Sequence, residues 1–175
     1  MKREIRLSGS GGQGLITAGI ILAQAAVLDD KNAVQTQSYG PEARGGAAKA
    51  EVIISDEEIY YPKVTSPDIL IALTQEAANK YISDMGEGGL VIADNILVES
   101  VPTGNYKVFK APILSIASDI LGSVLSANIV TLALLNALRP TVSAASLEKA
   151  VANAFPKKAE LNMRALSEGT KLALV

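Results

Sequence analysis

The sequence contains no cysteine, no histidine and no tryptophan. Without cysteine or histidine, the chain cannot form a disulfide, hold an iron–sulfur cluster or a Cys/His zinc site, or use a thiolate nucleophile or an imidazole base. Any redox centre that serves this protein must therefore belong to another chain.

Positive charge is also scarce, because 16 Lys and Arg residues stand against 18 Asp and Glu residues, with no Lys/Arg cluster. Surfaces that bind nucleic acid usually carry a basic stripe that displaces counterions, so we expect no nucleic-acid partner. Residues 1–5 enter strand-like sequence at once, without the apolar segment and cleavage site of a signal peptide. We therefore expect a cytoplasmic protein.

One long stretch, Ile120 to Leu138, carries no charge and approaches the length of a membrane span. It contains several small, hydroxyl and amide residues: Gly122, Ser123, Ser126, Asn128, Thr131 and Asn136. Such a segment would make a poor membrane span. We therefore expect no membrane association, and a helix that is buried on most sides in a core or a subunit contact.

Strand-like and helical patterns alternate along the first two thirds of the chain. Strands are predicted over 5–7, 33–39, 47–55, 68–73, 89–93 and 106–109, and helices over 15–28, 75–85, 113–138 (broken near Gly122), 143–154 and 158–172. The short link between the second and third strands predicts antiparallel neighbours. The alternation as a whole predicts a largely parallel sheet in a three-layer α/β structure, followed by a helical C-terminal third.

The first predicted helix, over 15–28, carries no charge. Ile16, Ile20, Ala23 and Val27 recur in it at helical spacing. We therefore expect this helix to be covered on more than one side.

Gly9, Gly11 and Gly14 have the spacing G-x-G-x-x-G between a predicted strand and a predicted helix. Glycines allow a close backbone approach, and the free N–H groups of a first helical turn favour an anion, to which Thr17 could add a hydroxyl. A dinucleotide site would also need an acidic residue at the end of the second strand, where residues 37–39 are Gln-Ser-Tyr. NAD and FAD are therefore disfavoured. Two alternatives stay open: a phosphate-bearing ligand held partly by another subunit, or a tight turn that binds nothing.

A second glycine-rich segment, residues 38–46, follows the second predicted strand. Pro41 and three glycines place Tyr39, Glu42 and Arg44 on a short loop. A guanidinium in that position suits a carboxylate or phosphate on a ligand or a partner chain. The alternative is an internal salt bridge from Arg44 to Glu42 or Glu51 that only holds the loop.

The two segments together resemble the gamma subunits of the 2-oxoacid:ferredoxin (or flavodoxin) oxidoreductases. Residues 9–14 resemble the family's GxGGQG motif, and residues 39–46 resemble its YGPEARGG motif, most like the 2-oxoglutarate (KorC-type) branch. Asn128, Asn162 and Gly169 also follow in the family's order, so the resemblance spans nearly the whole chain. It implies no catalytic and no metal-binding residue, and it implies ligand-binding roles for these positions: Gly9, Gly11, Gly12, Gln13, Gly14, Tyr39, Gly40, Glu42, Arg44, Gly45 and Gly46.

The resemblance implies a Rossmann-like, three-layer α/β/α fold with a mostly parallel, mixed sheet, formed as one domain over residues 1–175. It also implies oxidative decarboxylation of a 2-oxoacid with coenzyme A, giving acyl-CoA, carbon dioxide and reduced ferredoxin or flavodoxin. In such complexes thiamine diphosphate is held by the alpha and beta subunits, and iron–sulfur clusters by beta or a ferredoxin-like delta subunit.

This chain would then bind no cofactor alone; it would cover the active site, help to bind coenzyme A, and show no turnover in isolation. Two other functions stay open, an interaction scaffold without ligand contact and a stand-alone nucleotide-binding protein. A homodimer of the isolated chain also stays open.

Overall fold

A computed structural model describes residues 1–38 and 47–174 of the chain. Its centre is a six-stranded sheet of β1 (Lys2–Gly9), β2 (Asn32–Gln37), β3 (Ala48–Ser55), β4 (Ile69–Ala72), β5 (Gly89–Asp94) and β6 (Tyr106–Ala111), in the order β2-β3-β1-β4-β5-β6. β1, β4, β5 and β6 run parallel, and β3 is antiparallel to both β1 and β2. The predicted antiparallel pair and the predicted mixed, mostly parallel sheet are confirmed.

Helices pack on both faces of this sheet. They are α1 (Leu15–Leu28), α2 (Gln75–Tyr81), α3 (Ile113–Ser115), α4 (Ala127–Leu138), α5 (Ala144–Ala154) and α6 (Ala159–Leu172). Residues of α1, α3, α4, α5 and α6 form the main core with one face of the sheet, while α2 packs on the opposite face against β4 and β5. The predicted three-layer arrangement and the helical C-terminal third are therefore confirmed.

One predicted helix is shorter in the structure, and the break predicted in another is present. The predicted helix over 75–85 ends at Tyr81, because residues 82–86 turn back so that the Gly86 N–H can donate to the Pro67 carbonyl. The predicted break near Gly122 is confirmed: a π turn over 116–120 is followed by Gly122, with φ of +65°, and by a 3₁₀ turn over 124–126. A left-handed residue at this position ends one helical direction and starts another.

The charge-free stretch is buried only in part. α4 is buried along most of its length, as predicted, whereas Ile120, Val124 and Leu125 in the turns before it are more than half exposed. The break at Gly122 turns those residues away from the core, so the expected burial in a core holds for α4 and not for the turns, and the alternative of a subunit contact stays a prediction there. No helix among the described residues is both long and apolar enough to cross a membrane.

α1 packs against the sheet and against α4 and α5, so the expected cover on more than one side is confirmed, although parts of the helix stay exposed. Ile20 and Val27 are 40% and 59% exposed, whereas Ala18, Leu22 and Ala25 are fully buried. Small residues on the inner face bring part of the helix close to the sheet: a Cβ at Gly19 would lie 3.3 Å from Ala50 Cβ. A helix without charges is hydrophobic all round, so its sequence alone does not determine which side meets the sheet.

Asp29, the residue after α1, joins α1 to the start of α5. Its carboxylate accepts hydrogen bonds from the Ser143 N–H, from Ser143 Oγ at 2.7 Å and from Ser146 Oγ at 2.6 Å. Desolvation raises the pKa of Asp29, but the hydrogen bonds from Ser146 and Ser143 outweigh it, so the pKa lies below its usual value. Asp29 therefore stabilises the N-terminus of α5 in its charged form.

We expect Asp29→Asn to lower the free energy of unfolding by about 1 kcal/mol at neutral pH, the usual scale of a lost helix cap. Because the folded-state pKa is depressed, this stabilisation is complete above the unfolded-state pKa and is lost as the pH falls through the folded-state pKa. Urea unfolding at a series of pH values would measure it, with Asp30→Asn as the matched control. Equal pH profiles for the two variants would contradict the assignment.

Candidate functional site

The glycine loop, residues 10–14, connects β1 to α1 at the carboxyl end of the parallel strands. At this point the chain leaves β1 through α1 toward β2, while the parallel strand β4 lies on the other side of β1. Open α/β sheets bind their ligands outside the carboxyl ends of the strands, where the connections diverge to opposite sides. The loop therefore occupies the position at which this architecture places a ligand.

Gly9, at the end of β1, and Gly14, in the loop, are closely packed against neighbouring side chains. A Cβ at Gly9 would collide with Gln13 Oε1 and lie 3.2 Å from Leu73 Cβ. Gly14 has φ of +73°, and a Cβ there would lie 2.9 Å from Asn128 Nδ2 on α4. A tight turn is thus sufficient to explain why both positions are glycine, whether or not the loop also binds a ligand.

Gln13 closes the loop from the inside. Its side-chain oxygen accepts a hydrogen bond from the Ser10 N–H at 2.8 Å, and the residue is buried. The hydrogen bond between Gln13 and Ser10 stabilises the turn. A ligand contact of Gln13 stays a prediction.

Gly11 and Gly12 form the outward part of the loop. Both are exposed, Gly12 has φ of +86°, and a Cβ on Gly12 would meet no described atom within 4 Å. No described atom therefore occupies the space next to Gly12 on the outer side of the loop. A ligand that approaches the start of α1 would pass over Gly11 and Gly12.

A cavity of about 150 Å³, lined by both apolar and polar side chains, lies beside the loop. Gly14 and Thr17 line it from the start of α1, and the C-terminal third contributes Ser126, Asn128, Lys158 and Asn162. Sequence analysis placed Asn128 and Asn162 only by their order in the family, and it missed Ser126 and Lys158. These residues lie more than a hundred positions from the glycine loop, so no local spacing could have associated them with it.

The second motif lies outside the described residues. This applies to its predicted ligand-binding positions, Tyr39, Gly40, Glu42, Arg44, Gly45 and Gly46, and to the alternative salt bridges of Arg44. The first described residue after it is Ala47, whose carbonyl accepts a hydrogen bond from Tyr81 Oη of α2 at 2.8 Å. α2 thus holds the chain where the segment rejoins the sheet.

A buried ion cluster lies on the same side of the sheet as α2. Arg6 of β1 donates from Nε to Glu51 at 2.8 Å and from Nη1 to Asp84 at 2.6 Å, and its guanidinium lies 5.6 Å from the centre of the Tyr81 ring. Burial lowers the pKa of Arg6, but Asp84 and Glu51 raise it by more, so Arg6 stays charged. Lys49 Nζ also contacts Glu51, at 3.1 Å.

The residues that the structure describes do not fit a metal centre or an iron–sulfur cluster. Within 1–38 and 47–174 there is no group of three or more carboxylate, thiol or imidazole side chains that could hold a metal ion. The whole sequence has no cysteine or histidine to ligate a cluster.

Comparison with known sequences assigns the chain to a family. The family model described as pyruvate ferredoxin/flavodoxin oxidoreductase matches residues 4–172. The 2-oxoglutarate synthase subunit KorC of Methanocaldococcus jannaschii is 51% identical, over 99% of this chain and 95% of the relative. KorC of Methanothermobacter marburgensis is 45% identical, over 99% of this chain and 98% of the relative.

Comparison with solved structures supports the same family. The gamma subunit of a keto/oxoacid ferredoxin oxidoreductase from Geobacter sulfurreducens superposes with a TM-score of 0.89 at 49% identity, covering 98% of both chains. The 2-oxoglutarate:ferredoxin oxidoreductase of Magnetococcus marinus, solved with 2-oxoglutarate, coenzyme A and succinyl-CoA bound, superposes with a TM-score of 0.87 at 25% identity, covering 99% of this chain and 31% of the longer one. The chain belongs to the pyruvate ferredoxin/flavodoxin oxidoreductase family, as a gamma subunit of a 2-oxoacid:ferredoxin oxidoreductase.

Proposed function

We propose that this chain works in a thiamine diphosphate-dependent complex that converts 2-oxoglutarate and coenzyme A to succinyl-CoA and carbon dioxide and passes electrons to ferredoxin or flavodoxin. The KorC relatives are subunits of 2-oxoglutarate synthase, and the Magnetococcus enzyme was solved with 2-oxoglutarate, coenzyme A and succinyl-CoA. In this proposal alpha and beta subunits hold thiamine diphosphate, and the clusters belong to beta or a ferredoxin-like subunit. The chain forms one domain, acts in the cytoplasm and is inactive alone.

The chain's own contribution is to cover the active site and to bind coenzyme A at the glycine loop. One observation carries this role: exposed Gly11 and Gly12 lead directly into α1, whose N-terminus has no side-chain cap. Uncapped N–H groups at the start of a helix attract phosphate, and coenzyme A carries several phosphate groups. The sugar-binding acid that a dinucleotide would need is missing at the end of β2, where the residues are Gln37 and Ser38.

The covering role is supported by apolar side chains near the cavity. Ile120, Val124 and Leu125 are 52%, 57% and 60% exposed, and Leu125 also lines the cavity. Apolar residues grouped on a surface favour contact with another protein. In the proposed complex these side chains contact the thiamine-binding subunits.

We expect Gly12→Val in the assembled complex to raise the KM for coenzyme A by about tenfold, equivalent to ~1.4 kcal/mol, and to change kcat much less. A valine would extend into the open space over which the ligand approaches. The assay is reduction of a viologen dye by the purified complex, dependent on both 2-oxoglutarate and coenzyme A.

Gly88→Val provides the matched control. Gly88 also has a positive φ, +69°, and a Cβ there also meets no described atom within 4 Å, but it precedes β5 at the opposite end of the sheet. The two variants share the cost of a branched residue in a left-handed conformation. If both leave the KM for coenzyme A unchanged, the glycine loop does not bind coenzyme A, and the chain is a scaffold without ligand contact.

A further inference from the structure

β2 forms an outer edge of the sheet, and within 1–38 and 47–174 no strand pairs with its outer side. The Ser38 N–H donates to the Lys49 carbonyl, so in this antiparallel pair the even-numbered residues of β2 direct their N–H and C=O groups to β3. The N–H and C=O groups of Ala33 and Gln35 therefore point outward from the sheet. A row of such groups is a template for pairing with another strand.

This edge lacks the features that usually protect an edge strand. β2 contains no charged residue and no proline, whereas β6, at the other edge, carries Lys107 and Lys110. Lysines on an edge strand oppose the approach of a second strand, because pairing would bury their charge. The sheet is therefore open to extension at β2 and protected at β6.

A mostly apolar groove of about 450 Å³ adjoins the same edge. Ile20, Ala23 and Val27 of α1 line one side of it, and Ala33 and Gln35 of β2 line the other. The three α1 residues recur at helical spacing, and no charged side chain among the described residues lines the groove. A strand edge that carries an uncharged apolar surface beside it would fit both the groove and β2.

We propose that the occupant is a second copy of this chain, with the two β2 strands paired antiparallel about a two-fold axis at Val34. Ala33 of each copy then forms a hydrogen-bonded pair with Gln35 of the other, and the two sheets become continuous. A two-fold axis brings the same surface to both sides of the contact, so a surface without charge avoids like-charge repulsion. The dimer does not depend on the proposed ligand.

The position of α1 along β2 supports a two-fold axis at Val34. A Cβ at Gly19 would lie 3.5 Å from Gln35 Cγ, so the early part of α1 lies beside the late part of β2. The short link between the two elements keeps the end of α1 near the start of β2. The middle of the exposed stripe, near Ala23, is thus level with Val34.

The spacing of the two helices also suits a dimer. α1 packs on β2 and β3, and neighbouring strands lie about 4.8 Å apart, so pairing β2 with its copy puts the two α1 axes roughly 10 Å apart. Packed helices have axes about 8–10 Å apart, so the exposed stripes come into contact. Ile20 of each copy then packs against Val27 of the other, and the two stripes fill both grooves.

Cysteine cross-linking tests the strand pairing, because the chain has no cysteine of its own. The N–H and C=O groups of Val34 face β3, so two paired Val34 residues would have Cα atoms about 4.5 Å apart, within the range of a disulfide. We expect Val34→Cys to form a disulfide-linked dimer on mild oxidation with diamide, measured by non-reducing electrophoresis. Val108→Cys, at an exposed position on β6, is the control and should stay largely monomeric. Equal linking of the two variants, or none in either, would overturn the pairing at Val34.

Sedimentation equilibrium of the full chain tests the dimer itself. Val27→Lys should raise the dissociation constant of the wild-type dimer by about 30-fold or more, the effect of a central interface position. Val108→Lys adds the same charge at the opposite edge and should leave the constant within about twofold. A lysine near the C-terminus of α1 is favourable to the helix, so Val27→Lys keeps the fold, which far-UV circular dichroism checks. A monomeric wild type, or equal effects of the two variants, would reject the dimer.

Mixing two variants tests the contact between the helices. Ile20→Glu and Val27→Lys should each be monomeric alone, because each places a charge against an apolar residue of the second copy. In the mixture the glutamate of one chain meets the lysine of the other, so heterodimers should form. A mixture that stays monomeric would overturn the contact between Ile20 and Val27. These measurements use the isolated chain, so their failure is distinct from a failure of coenzyme A binding, which is measured on the complex.

Discussion

Replacing Arg6 by methionine should lower the free energy of unfolding by about 3–5 kcal/mol, the usual cost of breaking a buried ion pair. Arg6 is 3% exposed and bridges β1 to Glu51 on β3 and to Asp84 beyond α2. Methionine fills similar space but leaves the buried Glu51 carboxylate with Lys49 as its remaining described cation. Urea unfolding of the full chain would measure the loss, with Arg164→Met, an exposed arginine on α6, as control.

The double variant Arg6→Met/Glu51→Met distinguishes lost packing from an unpaired charge. Apolar replacements of a whole buried pair are often neutral, so this variant should be more stable than Arg6→Met alone. Asp84 does not change this expectation, because its side chain is 43% exposed and stays hydrated. A loss no larger than that of Arg164→Met would show that the cluster does not stabilise the fold.

Gly169→Val should lower the free energy of unfolding by about 3 kcal/mol, at the upper end for overpacking. Gly169 lies where α6 approaches α4 most closely: a Cβ there would collide with the Val130 carbonyl oxygen and lie 2.7 Å from Ala133 Cβ. A backbone carbonyl inside a buried helix cannot move aside as a flexible side chain can. The two helices must therefore separate to accept any side chain at this position.

Ser167→Val is the matched control, since Ser167 lies two residues away on the same helix and is exposed. Both variants introduce a β-branched residue into α6, so the difference between their unfolding free energies isolates the contact with α4. Equal losses would mean that the close approach of α4 and α6 is not needed for stability. The contact also matters to function, because α4 and α6 contribute Asn128 and Asn162 to the cavity wall.

The strands and most helix boundaries could be predicted because they follow from local patterns. The glycine spacing between β1 and α1 indicates a turn wherever the rest of the chain lies. α1 shows the limit of such patterns: its ends were predicted correctly, but the sequence did not indicate which side meets the sheet, because Ile20 and Ala18 are both apolar. The end of α2 was missed because a turn held by the Pro67 carbonyl, a distant group, stops the helix.

The sequence by itself determined the class of this protein: two glycine-rich motifs indicated the family, and the absence of cysteine and histidine excluded an iron–sulfur cluster ligated by such residues of this chain. Only the tertiary structure decided that the starts of α1, α4 and α6 meet at one cavity, and that Asn162 and Lys158 belong to it. The physical reason is the range of the interactions. Motifs and periodicity report contacts within a few residues, whereas a site between distant helices exists only after the sheet and the α4–α6 contact have positioned them.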